Sequence, residues 1–463
     1  MKIHFVGIAG AGMHSLALYL SEAGHEVSGS DSHLTAERLA FWRRRGVNVF
    51  TEQCAENIGQ ADMVVYSAAI PRENPERKAA ELRGIACSRG EALARFANAH
   101  PFSIAICGTH GKGTTAGAVS YVLSQSGRSV SDILGAVPIG REEPCVYVPE
   151  SEFLVCEVDE SDKTNCFHRP KLMLINNVEA DHLNVYGDLE SIVLTFERHV
   201  RAVLESGGRV LIHYSGVGAP LLYERLTDCR RIFWIAREGS LERPDLGYEI
   251  AAPDMEGHCR LTVRDCGGDI CRITPILCGR ANAQNLVSAI GVAMQCGLDL
   301  RESASLLTHY RGLRHRCEVR QVGDYWLSSD YASHPTCVKN DIEWLRRRAK
   351  RVLAIYHPYR YSLMSCHWTE LCEALNMADA VYLLPFDPCG EAEIPGISSQ
   401  AMAAEMNRDA REKARAFGTH RAVFDAVAQD VCPGDLVVVF GGEKSFEAAL
   451  TALECAYASR ERG

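Results

Sequence analysis

The sequence predicts an α/β protein of three domains, in which parallel sheets are flanked by helices. Apolar runs of strand length alternate with segments of helical periodicity along the whole chain, which is typical of parallel sheets. Glycine-rich turns follow two of these runs, at residues 7–13 and 108–115. A chain of 463 residues has the length of about three domains. We expect domains over residues 1–98, 99–311 and 312–463.

Composition excludes several classes of protein. The formal net charge of -10 argues against non-specific nucleic-acid binding, which needs a basic face. No run approaches the roughly 20 apolar residues of a membrane span, and the glycines and His14 interrupt the apolar N-terminus, so we expect neither a secretory signal nor a membrane contact. The 19 cysteines include no C-x-x-C pair. We therefore expect reduced thiols and a cytoplasmic protein.

The first domain begins as a Rossmann-like βαβ unit. Lys2–Val6 is predicted as a strand, Ser15–Ala23 as a helix, and Glu26–Ser30 as a second strand followed by Asp31. The glycine spacing of the turn fits the dinucleotide fingerprint poorly. A nucleotide-sugar diphosphate therefore suits the turn as well as NAD does. Asp31 is equally compatible with a ribose or sugar contact and with a solvated loop acid.

The central domain begins with a phosphate-binding loop and is predicted to be a P-loop-type ATPase domain with a parallel sheet. The strand Phe102–Cys107 leads into the turn GTHGKGTT and then into a helix. The glycines allow backbone N–H groups to close on phosphate oxygens at the helix N-terminus. Lys112 would reach the terminal phosphates, and a threonine hydroxyl would hold Mg²⁺. The loop is formed by Gly108, Thr109, His110, Gly111, Lys112, Gly113, Thr114 and Thr115.

Polar residues follow two further strands of this domain. Glu157 ends one strand, and Asp181 and His182 follow another. The carboxyl ends of parallel strands meet at one edge of a sheet, where ligands bind. Glu157 and His182 are therefore predicted to help hold Mg²⁺, although a helix-start acid and a capping side chain are the alternatives. Asn282 and Asn285 share a helix face, where they would contact an adenine edge or only cap the helix.

The third domain is predicted to be a second Rossmann-like, doubly wound sheet. Its strands are Tyr325–Ser329, Val352–Tyr356, Ala380–Leu384 and Leu436–Phe440. Helical segments separate these strands, which favours parallel pairing.

The order of these motifs resembles the Mur ligase family, the ATP-dependent amide ligases of peptidoglycan precursor synthesis, over the whole chain. The resemblance is carried by HFVGIAGAGM, YSAAIPRENPE, GTHGKGTT, EVDESD, NNVEADHLNVYGD, GRANAQN, GLRHRCE, SDYASHP, HPYRYS and GEAEIPGISS. The last two resemble the branch that adds L-alanine. The resemblance implies that ATP, with Mg²⁺, phosphorylates the carboxylate of UDP-N-acetylmuramate and that the amine of L-alanine attacks the acyl phosphate.

The resemblance also implies roles for individual residues. The family's shared set corresponds to Lys112, Glu157, His182, Asn282, Asn285, Arg316 and Asp330, of which Asn282 and Asn285 would contact ATP and the other five would be catalytic. The UDP-sugar would be bound by Gly7, Gly10, Gly12, Met13, Asp31 and Ser67. Arg360 and His334 would bind the amino acid, and Thr114, Glu157 and His182 the metal.

The chain departs from the family pattern at several of these segments. Gly113 stands where the branch usually has the metal-binding threonine, so Thr114 is expected to supply the hydroxyl. Ala281 and Ser333 replace histidines, and Tyr359 and Leu363 replace a histidine and an arginine. These changes leave the acceptor open.

Three alternatives remain beside L-alanine ligation. One is a related ligase that recycles a peptide onto UDP-muramate, the second is an NAD-dependent oxidoreductase, and the third is a non-catalytic protein of the same fold. The glycine spacing and the second phosphate loop argue against the oxidoreductase. A monomer or a homodimer is expected.

Overall fold

The computed structural model describes residues 1–160, 163–408 and 412–461. Three separate sheets follow one another along the chain, each flanked by helices. This arrangement confirms the predicted α/β class and the three sheet-containing domains. Ser161 and Asp162, which belong to one of the segments that carry the family resemblance, lie outside the described residues.

The first sheet has five parallel strands in the order β3-β2-β1-β4-β5. The strands are β1 (Lys2–Val6), β2 (Glu26–Ser30), β3 (Asn48–Phe50), β4 (Met63–Tyr66) and β5 (Ala86–Ser88), and the helices are α1 (Ala11–Glu22), α2 (Ala36–Arg44), α3 (Pro75–Leu82) and α4 (Arg89–Ala99). Helix α1 begins four residues before the predicted start at Ser15. Its N-cap is Gly10, so the last part of the glycine-rich turn is already the first helical turn.

The second sheet has ten strands in the order β15-β14-β13-β12-β11-β10-β6-β9-β7-β8. They are β6 (Ser103–Cys107), β7 (Val130–Ile133), β8 (Cys145–Val146), β9 (Phe153–Glu157), β10 (Leu172–Ile175), β11 (Arg209–His213), β12 (Ile232–Arg237), β13 (Leu246–Ile250), β14 (Leu261–Asp265) and β15 (Ile270–Ile273). The inner strands are parallel, and β8, β14 and β15 pair antiparallel at the two edges. Its helices are α5 (Lys112–Gln125), α6 (Leu183–Tyr186), α7 (Leu189–Glu205), α8 (Ala219–Arg225), α9 (Arg280–Gln295) and α10 (Leu300–Leu307).

The third sheet has six strands in the order β16-β17-β21-β18-β19-β20. They are β16 (Arg316–Val322), β17 (Tyr325–Asp330), β18 (Val352–Tyr356), β19 (Ala380–Leu383), β20 (Ala414–Ala416) and β21 (Leu436–Phe440). All pairs are parallel except β16 with β17. The helices are α11 (Pro335–Arg348), α12 (Tyr361–Leu375), α13 (Ser399–Met406), α14 (His420–Asp430) and α15 (Glu443–Glu461).

Burial explains why the central strands were visible in the sequence. All five residues of β6 are buried, because helices cover both faces of a parallel sheet. Ile104 and Ile106 of β6 pack in one cluster with Val119 of α5 and Leu286 of α9. This packing fixes the start of α5 at the carboxyl edge of β6, beside the ends of β9 and β10. Within the described residues, none of the helices is both long enough and apolar enough to span a bilayer.

Candidate functional site

A cavity of about 1560 Å³ lies between the three sheets and is lined by loops of all three. The first sheet contributes the turn at Gly10, the second contributes Lys112 and Glu157, and the third contributes Arg316 and Asp330. The carboxyl ends of β6 and β9 both face it. Polar groups that lie far apart in sequence therefore converge where a substrate would contact every domain.

The phosphate-binding loop connects β6 to α5 as the sequence predicts. Gly108 and Gly111 adopt positive φ angles of 121° and 72°, a backbone region open to glycine at little cost. Lys112 is the first residue of α5. Its Nζ donates to both carboxylate oxygens of Glu160, at 3.0 and 2.9 Å, and lies 3.6 Å from Asp159. Glu160 is the partner that sequence reasoning did not single out.

The carboxylates around Lys112 stabilise its protonated form. Burial would lower the pKa of Lys112, but the carboxylates of Glu160 and Asp159 outweigh it and raise that pKa. Burial raises the pKa of Glu160, and Lys112 opposes that shift. Lys112 is therefore held as a cation at the N-terminus of a helix, where a phosphate would also meet the helix dipole.

An amide network that the sequence analysis missed holds the loop in place. The side-chain amide of Asn176 donates to His110 O and to Asn285 Oδ1, both at 2.9 Å. The side chain of Asn177 donates to His110 O at 3.0 Å, and its Oδ1 accepts from the His110 N–H at 2.8 Å. Ser288 donates to Asn176 Oδ1 at 2.6 Å. The signal in the sequence was the Asn176–Asn177 pair directly after β10, at the ligand-binding edge.

Asn282 and Asn285 line the cavity, as an adenine contact requires, but they also have structural partners. Asn282 Nδ2 donates to Cys278 O at 2.8 Å across the start of α9, and Asn285 Nδ2 donates to Asn282 Oδ1 at 3.4 Å. Capping and loop support therefore occupy part of their hydrogen-bonding capacity. Their contact with adenine stays a prediction.

The predicted metal residues Thr114, Glu157 and His182 all line the cavity. Glu157 Oε2 accepts from the Gly135 N–H at 2.8 Å, and a Cβ at Gly113 would lie 3.1 Å from that same oxygen. The ligand atoms of His182 lie within 4.8 Å of those of Asp159 and Glu160. The structure thus adds two carboxylates to the donors that were expected for Mg²⁺.

The glycine-rich turn of the first sheet borders a smaller cavity of about 320 Å³ that also reaches Lys112 and Glu157. Four of the predicted UDP-sugar residues line it, namely Gly10, Gly12, Met13 and Ser67. Gly7 forms the turn itself, with φ of 86°. Asp31 lines the larger cavity and accepts from the Ala9 N–H at 3.0 Å. Asp31 therefore shapes the turn, and Arg89, not singled out from the sequence, lines the small cavity.

Arg316 and Asp330 pair across β16 and β17. Arg316 Nη1 lies 3.7 Å from Asp330 Oδ1, and Asp330 Oδ2 accepts from the Cys317 N–H at 2.8 Å. Burial would lower the pKa of Arg316, but Asp330 and Glu157 raise it. Arg316 therefore brings a fixed positive charge from the third domain towards Glu157 of the second.

The two predicted amino-acid-binding residues lie differently. His334 lines the cavity and caps α11, where its Nδ1 accepts from the Thr336 N–H at 3.3 Å. Arg360 is exposed and occupies the N-cap position of α12 without a side-chain capping hydrogen bond, while the neighbouring Tyr359 lines the cavity. The role of Arg360 as a carboxylate ligand stays a prediction.

His110 follows a strand of the second sheet and His334 a strand of the third sheet, and their rings lie close together. Their ring centroids are 4.3 Å apart, and His110 Nε2 lies 3.3 Å from Glu179 Oε2. Burial would lower the pKa of His110, but Cys337 and Glu179 raise it to about 10. Burial lowers the pKa of His334 to about 4, and His110 adds to that effect.

Family profiles cover most of the chain. Profiles described as the Mur ligase family catalytic domain, the Mur ligase middle domain and the Mur ligase glutamate ligase domain match residues 2–101, 106–293 and 315–442. The UDP-N-acetylmuramate--L-alanine ligase of Syntrophomonas wolfei is 31% identical over 98% of this chain and 96% of that protein. The corresponding ligase of Salinispora arenicola is 33% identical over 96% and 86%.

Solved structures share the fold. The UDP-N-acetylmuramate-alanine ligase of Thermotoga maritima superposes with a TM-score of 0.77 at 21% identity, over 100% of this chain and 99% of that one. A murein peptide ligase from Psychrobacter arcticus gives a TM-score of 0.72 at 21% identity, over 98% and 99%.

Proposed function

Since the chain belongs to the Mur ligase family, we propose that it joins L-alanine to the carboxyl group of UDP-N-acetylmuramate. It is an ATP-dependent, ADP-forming amide ligase of peptidoglycan precursor synthesis. The single observation that carries this proposal is the meeting of the phosphate loop, the glycine-rich turn of the first sheet and the Arg316–Asp330 pair around one cavity. An amide ligase needs these three together, because it holds ATP, an acid and an amine at once.

The first step is phosphorylation of the sugar carboxylate by ATP. Phosphoryl transfer depends on positioning and on neutralising charge. Lys112 and the N-terminus of α5 would hold the terminal phosphates. The turn at Gly10 and Gly12 would hold the diphosphate of the UDP-sugar, and its carboxylate would then lie in the cavity that Lys112 and Glu157 also line.

The donor set beside this space fits Mg²⁺, which prefers oxygen ligands. Glu157 faces the loop across Gly113, and Asp159, Glu160 and His182 are grouped next to Lys112. Thr114, Glu157 and His182 would hold the ion, with the carboxylates of Asp159 and Glu160 close by. When bound, Mg²⁺ would neutralise charge on the phosphates.

The second step is attack by the amine on the acyl phosphate. Arg316 would stabilise negative charge on the departing phosphate, since it enters the cavity from the third sheet beside Asp330. His334 and Arg360 would orient the amino acid. Asn282 and Asn285 would contact the adenine while they support the loop.

We assign the binding of the UDP-sugar, of ATP and of the amino acid to three domains, over residues 1–98, 99–311 and 312–463 respectively. No strand is shared between the sheets within the described residues. The first proposed boundary falls before the last residue of α4, and the second falls between α10 and β16. A cytoplasmic location and a monomeric or homodimeric state are part of the same proposal.

An acceptor panel tests the function. The full chain is incubated with ATP, Mg²⁺ and UDP-N-acetylmuramate plus L-alanine, glycine, L-serine or the tripeptide L-alanyl-γ-D-glutamyl-meso-diaminopimelate, and phosphate release is measured. L-Alanine is expected to give the highest kcat/KM, and omission of the UDP-sugar should remove the release. Preference for the tripeptide would replace the proposal with a murein peptide ligase, the activity named for the Psychrobacter arcticus protein.

A further inference from the structure

We propose that His110, Glu179 and His334 form a second metal site, one that takes a divalent transition metal such as Zn²⁺ and ties the third domain to the phosphate loop. These residues come from the loop after β6, the loop after β10 and the beginning of α11. None of them belongs to the oxygen-rich donor set around Glu157.

The geometry already resembles that of a metal site. One ligand atom from each of His110, Glu179 and His334 lies within 4.8 Å of the others. Cys337 lies beside His110, but its thiol is not part of this group. His110, Glu179 and His334 all line the large cavity, so a metal ion can reach them from solvent.

Neighbouring groups orient these side chains as the outer contacts of metal ligands do. His334 Nδ1 accepts from the Thr336 N–H at 3.3 Å, which leaves Nε2 as the free ring nitrogen. The Thr336 hydroxyl donates to Glu179 Oε2 at 3.1 Å. The amides of Asn176 and Asn177 fix the His110 backbone.

The donor chemistry selects the class of metal. Two imidazoles and a carboxylate are a set of three protein ligands that binds Zn²⁺ with the fourth position left to water. Mg²⁺ prefers oxygen ligands and retains its water, so it competes poorly for imidazole. The site is thus chemically separate from the magnesium site of the ligase reaction.

A bound ion would link two domains. His110 and Glu179 belong to the second domain, and His334 belongs to the third. Their bonds to one ion would restrict how far α11 can move from the phosphate loop. With Nδ1 bonded to the Thr336 N–H and Nε2 bound to the ion, His334 would have no ring nitrogen left for the amino acid, so a bound ion would leave that role to Arg360.

Cobalt titration tests the site without measuring activity. The full chain, with its thiols reduced and without ATP, is titrated with Co²⁺ in excess Mg²⁺, which blocks oxygen-only sites. We expect one equivalent to bind with the visible bands of four-coordinate Co²⁺. Zn²⁺ should displace it and raise the melting temperature.

Two variants decide the outcome. His334→Ala should weaken cobalt binding at least about tenfold. Cys317→Ser is the matched control, because its thiol lies in a separate group with Asp330 and Asp341, and it should bind cobalt as the unmodified chain does. Absence of saturable binding in the unmodified chain, unchanged binding in His334→Ala, or loss of binding only in Cys317→Ser would overturn the proposal. Circular dichroism confirms that each variant is folded.

Discussion

Lys112 shows how far single residues could be assigned from the sequence. Its place in the turn GTHGKGTT predicted a cation at the start of a helix, and the structure has it there. Its partner could not be predicted, because Glu160 lies in the loop after β9. That loop contains three acidic residues that could each pair with Lys112. The choice between Asp159, Glu160 and Asp162 depends on how β6 and β9 are positioned side by side.

Removing Lys112 tests its assigned role. Lys112→Ala is expected to lower ATP-dependent ligation at least about 100-fold, since it removes a preorganised charge at the phosphates. Binding of UDP-N-acetylmuramate, measured by calorimetry without ATP, should remain close to that of the unmodified chain. Lys171→Ala, which removes an exposed lysine, is the control. Normal turnover in Lys112→Ala would disprove the assignment.

Gly113 tests where the metal hydroxyl comes from. A Cβ at this position would lie 3.1 Å from Glu157 Oε2 and 3.3 Å from Leu313, so a threonine there would place its hydroxyl beside the carboxylate. Gly113→Thr is expected to lower the Mg²⁺ concentration needed for half-maximal activity several-fold. Gly113→Ala adds the Cβ without the oxygen and should not lower it. Equal effects of the two variants would contradict the expectation.

At the scale of elements, strands were predictable and supporting contacts were not. The apolar run of β6 is visible because both of its faces are covered. The hydrogen bonds that Asn176 makes to His110 and Asn285 join residues separated by 66 and 109 positions, which no local pattern reveals. Helix α1 also begins earlier than expected, because Gly12 suggests a turn where the backbone is already helical, directly after the N-cap Gly10.

The loop's dependence on Gly111 can be measured. A Cβ at Gly111 would lie 2.2 Å from Asn285 Oδ1, and its φ is 72°. Gly111→Ala is therefore expected to lower the free energy of unfolding by more than the roughly 1 kcal/mol of a left-handed alanine, and to weaken ATP binding. Gly127→Ala is a matched control, with φ of 83° and no atom within 4 Å of the added Cβ. If both variants lose the same free energy of unfolding, Asn285 does not constrain the loop.

Across the whole molecule, the number of sheets followed from the alternation of strands and helices, but their strand orders did not. The sequence does not show that β6 lies between β10 and β9, since crossover connections allow several orders. The antiparallel strand β16 was also missed, because it is an edge strand of mostly half-buried and exposed residues and lacks the continuous apolar run of the inner strands.

Buried histidines predict how the fold responds to acid. Burial lowers the pKa of His168 to about 3 and of His199 and His213 to about 4, against roughly 6.5 in an unfolded chain. The unfolded state therefore binds more protons below that value, and stability is lost as the pH falls from about 6.5 towards 4. Urea unfolding midpoints at a series of pH values should decrease over this window.

His199→Gln checks the origin of this pH dependence. The variant is expected to reduce the slope of the unfolding free energy plotted against pH. The reduction should be up to about 1.4 kcal/mol per pH unit, which is the contribution of one proton. His33→Gln changes a side chain that is 92% exposed and should leave the slope unchanged. An unaltered slope in His199→Gln would assign the acid sensitivity to other groups.

The contact between Lys112 and Glu160 has a consequence for ligand selection. In the phosphate loop, the ammonium group of Lys112 is already paired with the carboxylate of Glu160. An incoming anion therefore has to displace Glu160 from Lys112 before it can bind there. ATP would gain further contacts with the N–H groups of the loop and through its base, which inorganic phosphate lacks. We therefore expect the phosphate product to inhibit the empty enzyme only weakly.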